Sequence, residues 1–183
     1  MKGFVRKDSL FSLCGLNCGL CSMHLGGHCP GCGEGSQSCK LARCSLDHGG
    51  LEYCYECGEY PCEKYEKIDE FDSFITHRNR MLDLEKAKRL GPEAYRAEQE
   101  EKVRLLHTLL EGYNDGRKKT LYCLAVNLLE VDEIKQTLQT VEGGALSPGD
   151  RPARMAEELK KIAAAKGIEL KLRRKKEAAR ETR

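Results

Sequence analysis

Residues 14–62 read CGLNCGLCSMHLGGHCPGCGEGSQSCKLARCSLDHGGLEYCYECGEYPC. Ten of the chain's eleven cysteines fall in these 49 residues, and the rest of the 183-residue chain contains only Cys123. Such a length accommodates one domain, or one domain with a small appendage. Residues 1–62 carry 17 apolar side chains other than cysteine against 11 glycines. That is too little apolar surface to offset a backbone ordering cost of roughly 1–2 kcal/mol per residue. The segment therefore needs covalent or coordinate staples, and its cysteines are the means.

Compartment decides between disulfides and metal. Lys2, Arg6 and Lys7 are followed by Asp8 and by only a short apolar stretch before Cys14, which is a poor signal peptide. No run reaches the roughly 18 apolar residues of a membrane span. The expectation is a soluble cytoplasmic protein whose thiols stay reduced and bind metal, and the odd cysteine total agrees. Net charge is +2 overall but unevenly spread: −1 over residues 1–62, −4 over 63–150 and +7 over 151–183. Only the C-terminal tail is basic enough to suggest a polyanionic partner.

Spacing sharpens the metal reading. A C-x2-C turn presents two thiolates to one tetrahedral zinc ion at about 2.3 Å. Three such units occur: Cys18/Cys21, Cys29/Cys32 and Cys54/Cys57. Cys29, Cys32, Cys54 and Cys57, with 21 residues between the pairs, approach zinc-ribbon spacing. Cys14, Cys18, Cys21, Cys39, Cys44 and Cys62 remain, enough for a second four-thiolate site, and for a third if His24, His28 or His48 joins. Spacing does not assign partners, because interleaved sites would exchange them. The expectation is at least two Zn2+ ions, with most ligands among Cys14, Cys18, Cys21, Cys29, Cys32, Cys39, Cys44, Cys54, Cys57 and Cys62.

The run Cys14-Gly-Leu-Asn-Cys18-Gly-Leu-Cys21, then Cys29-Pro-Gly-Cys32, Cys39, Cys44 and Cys54-Tyr-Glu-Cys57-Gly-Glu-Tyr-Pro-Cys62-Glu-Lys64, resembles the bacterial and archaeal domain-of-unknown-function 3795 family. The resemblance covers residues 11–66, and the helical region to Leu129 is similar to its longer members. It implies a cysteine-rich zinc-binding protein without an established activity.

Other chemistries use similar spacing. Cys14-x3-Cys18-x2-Cys21 matches the cluster motif of radical S-adenosylmethionine enzymes, but Leu20 stands where those enzymes usually carry an aromatic residue. The chain also continues into helices instead of a βα barrel. An iron-sulfur or redox enzyme component is the stronger alternative, since the same thiolates ligate iron clusters. A nucleic-acid-binding zinc module using Lys171–Arg183 is a further one, although no aromatic residue follows Tyr122 to stack on bases. His77 reads as a surface or interface group ahead of a ligand or general base. Cys123, on an apolar helix, reads as a small buried hydrophobe. No nucleotide-binding glycine loop, nucleophile elbow or H-E-x-x-H motif is present, and no residue is assigned a catalytic role.

Beyond residue 62 the apolar period becomes helical. Phe71, Phe74, Ile75, Met81 and Leu82, with Asp72 as N-cap, predict a helix ending at Gly91-Pro92. Val103, Leu106, Leu109, Leu110 and Tyr113 predict a second, and Leu121, Leu124, Ala125, Leu128 and Leu129, capped by Thr120, the most buried one. Val131 to Val141 and Pro152 to Lys166 predict two more, joined by a turn-rich linker. Ile168, Leu170 and Leu172 alternate as a half-buried strand, with Phe11–Leu13 the best partner. The expected fold is mainly α, with a small irregular zinc-knuckle module and minor β. Its parts are a metal-binding module (1–62), a helical region (63–144), and a linker, helix, strand and basic tail (145–183). The expected role is a binding or scaffold protein whose zinc sites shape a surface for another protein.

Overall fold

A computed structural model describes residues 2–34, 38–145 and 147–175. Among them are seven α-helices: α1 (Ser22–Leu25), α2 (Lys40–Asp47), α3 (Arg80–Leu90), α4 (Pro92–Gly112), α5 (Lys119–Leu128), α6 (Val131–Glu142) and α7 (Arg151–Ala165). Three 3₁₀ turns, Cys18–Leu20, Cys54–Glu56 and Glu63–Tyr65, punctuate the cysteine-rich segment. None of the helices among the described residues is long and apolar enough to cross a membrane.

The predicted stripes of α4 to α7 close on one another. Leu106, Leu109, Ala125, Val126, Leu129, Ile134, Met155, Leu159 and Ala163 are all fully buried in one core. Helix α4 begins with Pro92 in its first turn, where a missing N–H costs nothing. Its 21 residues span about 30 Å and reach two cores. Leu105, Leu106 and Leu109 enter the helical core, whereas Tyr95, near the other end, enters a second one. That second core gathers Phe4, Phe11, Leu13, Tyr53 and Tyr65 from the cysteine-rich half and closes them with Leu84 and Ala87 of α3. The cysteine-rich segment thus borrows apolar surface from α3 and α4 that its own composition lacks. In return, Leu20 inserts into the helical core, where Cys123 is also buried. Burial pushes the Cys123 thiol up to about 11, as suits a small hydrophobe.

Two local expectations are overturned. No β-strand occurs among the described residues; the only pairing outside helices is a single antiparallel bridge between Phe11 and Asn17. Residues 168–172 do not pair with Phe11–Leu13. Arg78 instead donates to the carbonyls of Glu169 and Lys171, both at 2.7 Å, and the Arg173 carbonyl accepts from the Asp72 amide at 2.8 Å. The helix expected from Asp72 begins only at Arg80, because Asp72 is engaged elsewhere. Its carboxylate accepts from the amides of His77 and Arg173, each at 2.8 Å, and from the Arg173 guanidinium at 3.0 Å. Phe74 and Leu82, counted as apolar markers of that helix, are 58% and 68% exposed.

Burial alone would raise the Asp72 pKa, but the Arg173 and His77 bonds outweigh it and hold the carboxyl below its ordinary value. A depressed carboxyl contributes stability that is complete above its unfolded pKa, about 3.9, and lost as pH falls through the lower folded value. Asp72→Asn is expected to cost about 2–3 kcal/mol at pH 7. Urea titrations should show that difference shrinking below about pH 4. A constant difference down to pH 2 would contradict it.

Candidate metal centre

Every cysteine of the window sits at a loop, a cap or a short helix. Cys18 and Cys54 open 3₁₀ turns, Cys21 and Cys57 close them, Cys39 caps α2 and Cys62 caps the turn at 63–65. In both turns the second cysteine's amide bonds the first one's carbonyl, Cys21 to Cys18 at 3.0 Å and Cys57 to Cys54 at 3.1 Å. This is the tight backbone turn expected of a C-x2-C unit.

Long-range backbone bonds then bring the loops together. The Cys32 amide donates to the Ser9 carbonyl at 2.8 Å, and the Cys54 amide donates to the Leu13 carbonyl at 2.9 Å. Two glycines permit these approaches. Gly15 (φ +90°) lies against the Arg80 carbonyl at the start of α3, and Gly31 (φ +111°) against the Ser9 carbonyl. A Cβ at either position would collide with backbone.

Residues 4–13 are themselves pinned. Arg6, with its side chain 1% exposed, donates to the Phe11 carbonyl at 2.7 Å and lies 5.0 Å from the Tyr53 ring centre. Asp8 Oδ1 accepts from the amides of Leu10 and Phe11, and Oδ2 pairs with Arg96 at 3.2 Å. Asn17, inside the first cysteine run, donates to Asp83 at 2.8 Å and accepts from the Tyr95 hydroxyl at 3.1 Å, tying the run to α3 and α4. Burial pushes Asp83 up to about 6 against the pull of Lys102.

The thiols fall into two electrostatic neighbourhoods. Burial raises the Cys18 pKa, and the neighbouring charges that add to it are Cys32, Cys14, Cys21 and Cys29. Burial pushes Cys32 up to about 11, opposed by the Leu13 backbone and Arg6 and reinforced by Cys14 and Cys39. Burial pushes Cys54 up to about 12, with Cys14, Cys44 and Cys62 adding to it. Cys44 is raised by burial and by Cys62 and Cys57, against Lys64. The pair Cys29/Cys32 therefore keeps company with Cys18/Cys21, while Cys54/Cys57 lies with Cys44 and Cys62. Cys14 stands between the two groups.

A cavity of about 30 Å³ lies within the second group, lined by Cys44, His48, Cys54, Cys57, Cys62 and Tyr65 among others. Its volume suits one water-sized occupant. The Tyr65 hydroxyl is buried there without a well-formed hydrogen bond. Burial, then the charge of the Cys54 thiol, raises its pKa. A thiolate at Cys54 would satisfy the hydroxyl.

The donor set fits a borderline-soft divalent ion: thiols in two groups, each containing C-x2-C units, beside one orphaned hydroxyl donor. Among the described residues no three of these sulfurs lie within 4.8 Å of one another, so coordination would draw them inward. A hydroxyl that supports a ligating sulfur is worth roughly 10–100-fold in metal affinity. Tyr65→Phe is therefore expected to weaken one ion by about tenfold in a competitive chelator titration, with the fold unchanged. Equal affinity in both proteins would remove Tyr65 from the site.

The histidines differ. His24 Nδ1–H donates to the Cys29 carbonyl at 2.9 Å, His28 is exposed, and His48 touches the second thiol group. His77 Nε2 contacts Ser73 Oγ at 3.0 Å, and its backbone amide bonds Asp72. Burial, then Arg80, lowers its pKa. Of the basic tail, Arg173 is engaged by Asp72 and Arg174 by the Ser73 carbonyl at 3.2 Å, and residues 176–183 lie outside the described residues. Arg6, Asp8 and Asn17 carry no motif signature in the sequence, and each ties down a thiol loop through a contact with a residue distant in the chain. No family model, curated protein or solved structure matches the chain.

Proposed function

We propose that this protein is a metal-thiolate module holding two zinc-class divalent ions, one among Cys18, Cys21, Cys29 and Cys32 and one among Cys44, Cys54, Cys57 and Cys62. The observation that carries the reading is a small cavity whose lining includes Cys44, Cys54, Cys57 and Cys62 beside His48, two tyrosines and three leucines. Burial and neighbouring thiols raise the pKa values of Cys18, Cys32, Cys44 and Cys54, and a divalent cation beside them would invert that preference. Each ion would replace apolar packing that the segment lacks. The ions are structural, and they fix loops whose outer surface is available to a protein partner. The alternative, a four-iron cluster on the same thiols, requires the cavity of the second group to open well beyond about 30 Å³.

Cobalt(II) substitution under anaerobic conditions tests the assignment. Two equivalents should each develop the visible bands of tetrahedral thiolate coordination. Cys29→Ser should alter one set and Cys54→Ser the other. If both variants alter the same bands, the partition is wrong; if no tetrahedral bands form, so is the module.

A further inference from the structure

One donor group is already assembled. A ring nitrogen of His48, the Cys57 sulfur and a Glu59 carboxylate oxygen all lie within 4.8 Å of one another. His48 follows the last residue of α2, and its ring is locked from behind. Nδ1 lies 2.8 Å from the Cys44 carbonyl, which can only accept, so Nδ1 carries the proton. The lone pair is left on Nε2, 3.9 Å from Glu59 Oε2. A histidine whose far nitrogen is fixed by a backbone carbonyl is the usual arrangement of a metal ligand. The C-terminal end of α2, with its outward carbonyls, adds negative potential. The side chains of His48 and Glu59 are 37% and 72% exposed, so this group faces solvent.

We propose that His48 Nε2, Cys57 Sγ and the Glu59 carboxylate form a third, exchangeable site for a borderline-soft divalent cation at the rim of the second thiol group. The inference rests on the thiolate reading only in that Cys57 then serves two ions, its sulfur having lone pairs for both. A mixed nitrogen, sulfur and oxygen set selects zinc-class ions over calcium or magnesium. Three protein ligands leave a fourth position for water or an incoming ligand. The rim ion would be the one that exchanges with the surroundings, which suits metal uptake or sensing.

Zinc binding to the full-length chain, followed by calorimetry and equilibrium dialysis under reducing conditions, tests this. The expected result is two tight ions and a weaker third that excess calcium does not displace. Glu59→Gln should weaken the third by at least about tenfold and leave the tight two unchanged, and His48→Gln should weaken the third as much. Saturation at two ions in the wild type, or a third ion of equal affinity in both variants, would overturn the proposal. A chain with no tight ion that still binds one zinc through His48 and Glu59 would sink the two-site module and keep the rim site.

Discussion

Stripping the protein with a strong chelator under reducing conditions is expected to unfold the cysteine-rich half while α4 to α7 persist. The second core is small, with Phe4, Phe11, Leu13, Tyr53 and Tyr65 its main contribution from residues 1–66, and it depends on loops that carry eleven glycines before residue 63. Structural zinc contributes on the order of 10–16 kcal/mol of apparent binding energy in small peptides, more than such a core can supply. The helical core draws its buried side chains almost entirely from α4 to α7, with Leu20 buried in it and Leu25 packed against it from residues 1–62, and does not need the ions. Four tyrosines report on the labile half: Tyr53 stacks on Tyr55 at 5.2 Å, and Tyr60 meets Tyr65 edge-on at 5.1 Å. Near-ultraviolet circular dichroism should collapse, with most far-ultraviolet helical signal retained. Hydrogen exchange should accelerate over residues 4–66 and remain slow in α5 and α6. Unchanged exchange after complete demetallation would contradict the expectation. The loss should also follow mild acidification, because ligating thiols must be deprotonated.

Gly15→Ala is the point substitution expected to cost most for its size. At φ +90° an added Cβ is strained, and it would overlap the Arg80 carbonyl and lie 2.7 Å from Leu84 Cγ. Neither neighbour can yield cheaply, since one is backbone and Leu84 is fully buried. Strain and overpacking together come to about 3–5 kcal/mol. Gly116→Ala is the control: its φ is +86°, but nothing lies within 4 Å, so about 1 kcal/mol is expected. Urea denaturation of both variants separates crowding from backbone strain. Equal losses would mean that the approach of the Cys14–Cys18 loop to α3 contributes nothing.

The helical half was legible because its information is local. Leu106, Leu109, Ala125, Leu129, Ile134 and Leu159 repeat at the helical period, and each lies in the core. The start of α3 was not legible. Asp72 looks like a helix cap, yet its carboxylate is taken by Arg173, 101 residues later. The same bond explains the failed strand: residues 169–173 alternate, but they lie on the loop at 72–78, held by Arg78 and Asp72. In the site, C-x2-C spacing located the thiol pairs but not their company. The company is decided by contacts at long separation, such as Cys32 with Ser9 and Cys54 with Leu13. Asn17 falls between Cys14 and Cys18 and reads as filler until Asp83 and Tyr95 are placed beside it. The buried hydroxyl of Tyr65 likewise gains a role only next to Cys54.

Metal content of the full-length protein, purified anaerobically, dialysed and measured by plasma mass spectrometry alongside an absorption spectrum, tests the central claim most directly. Two tightly held zinc ions per chain in a colourless solution are predicted, with a third appearing when zinc is in excess. A folded chain that holds no metal, or a brown one that holds iron and sulfide, would contradict it.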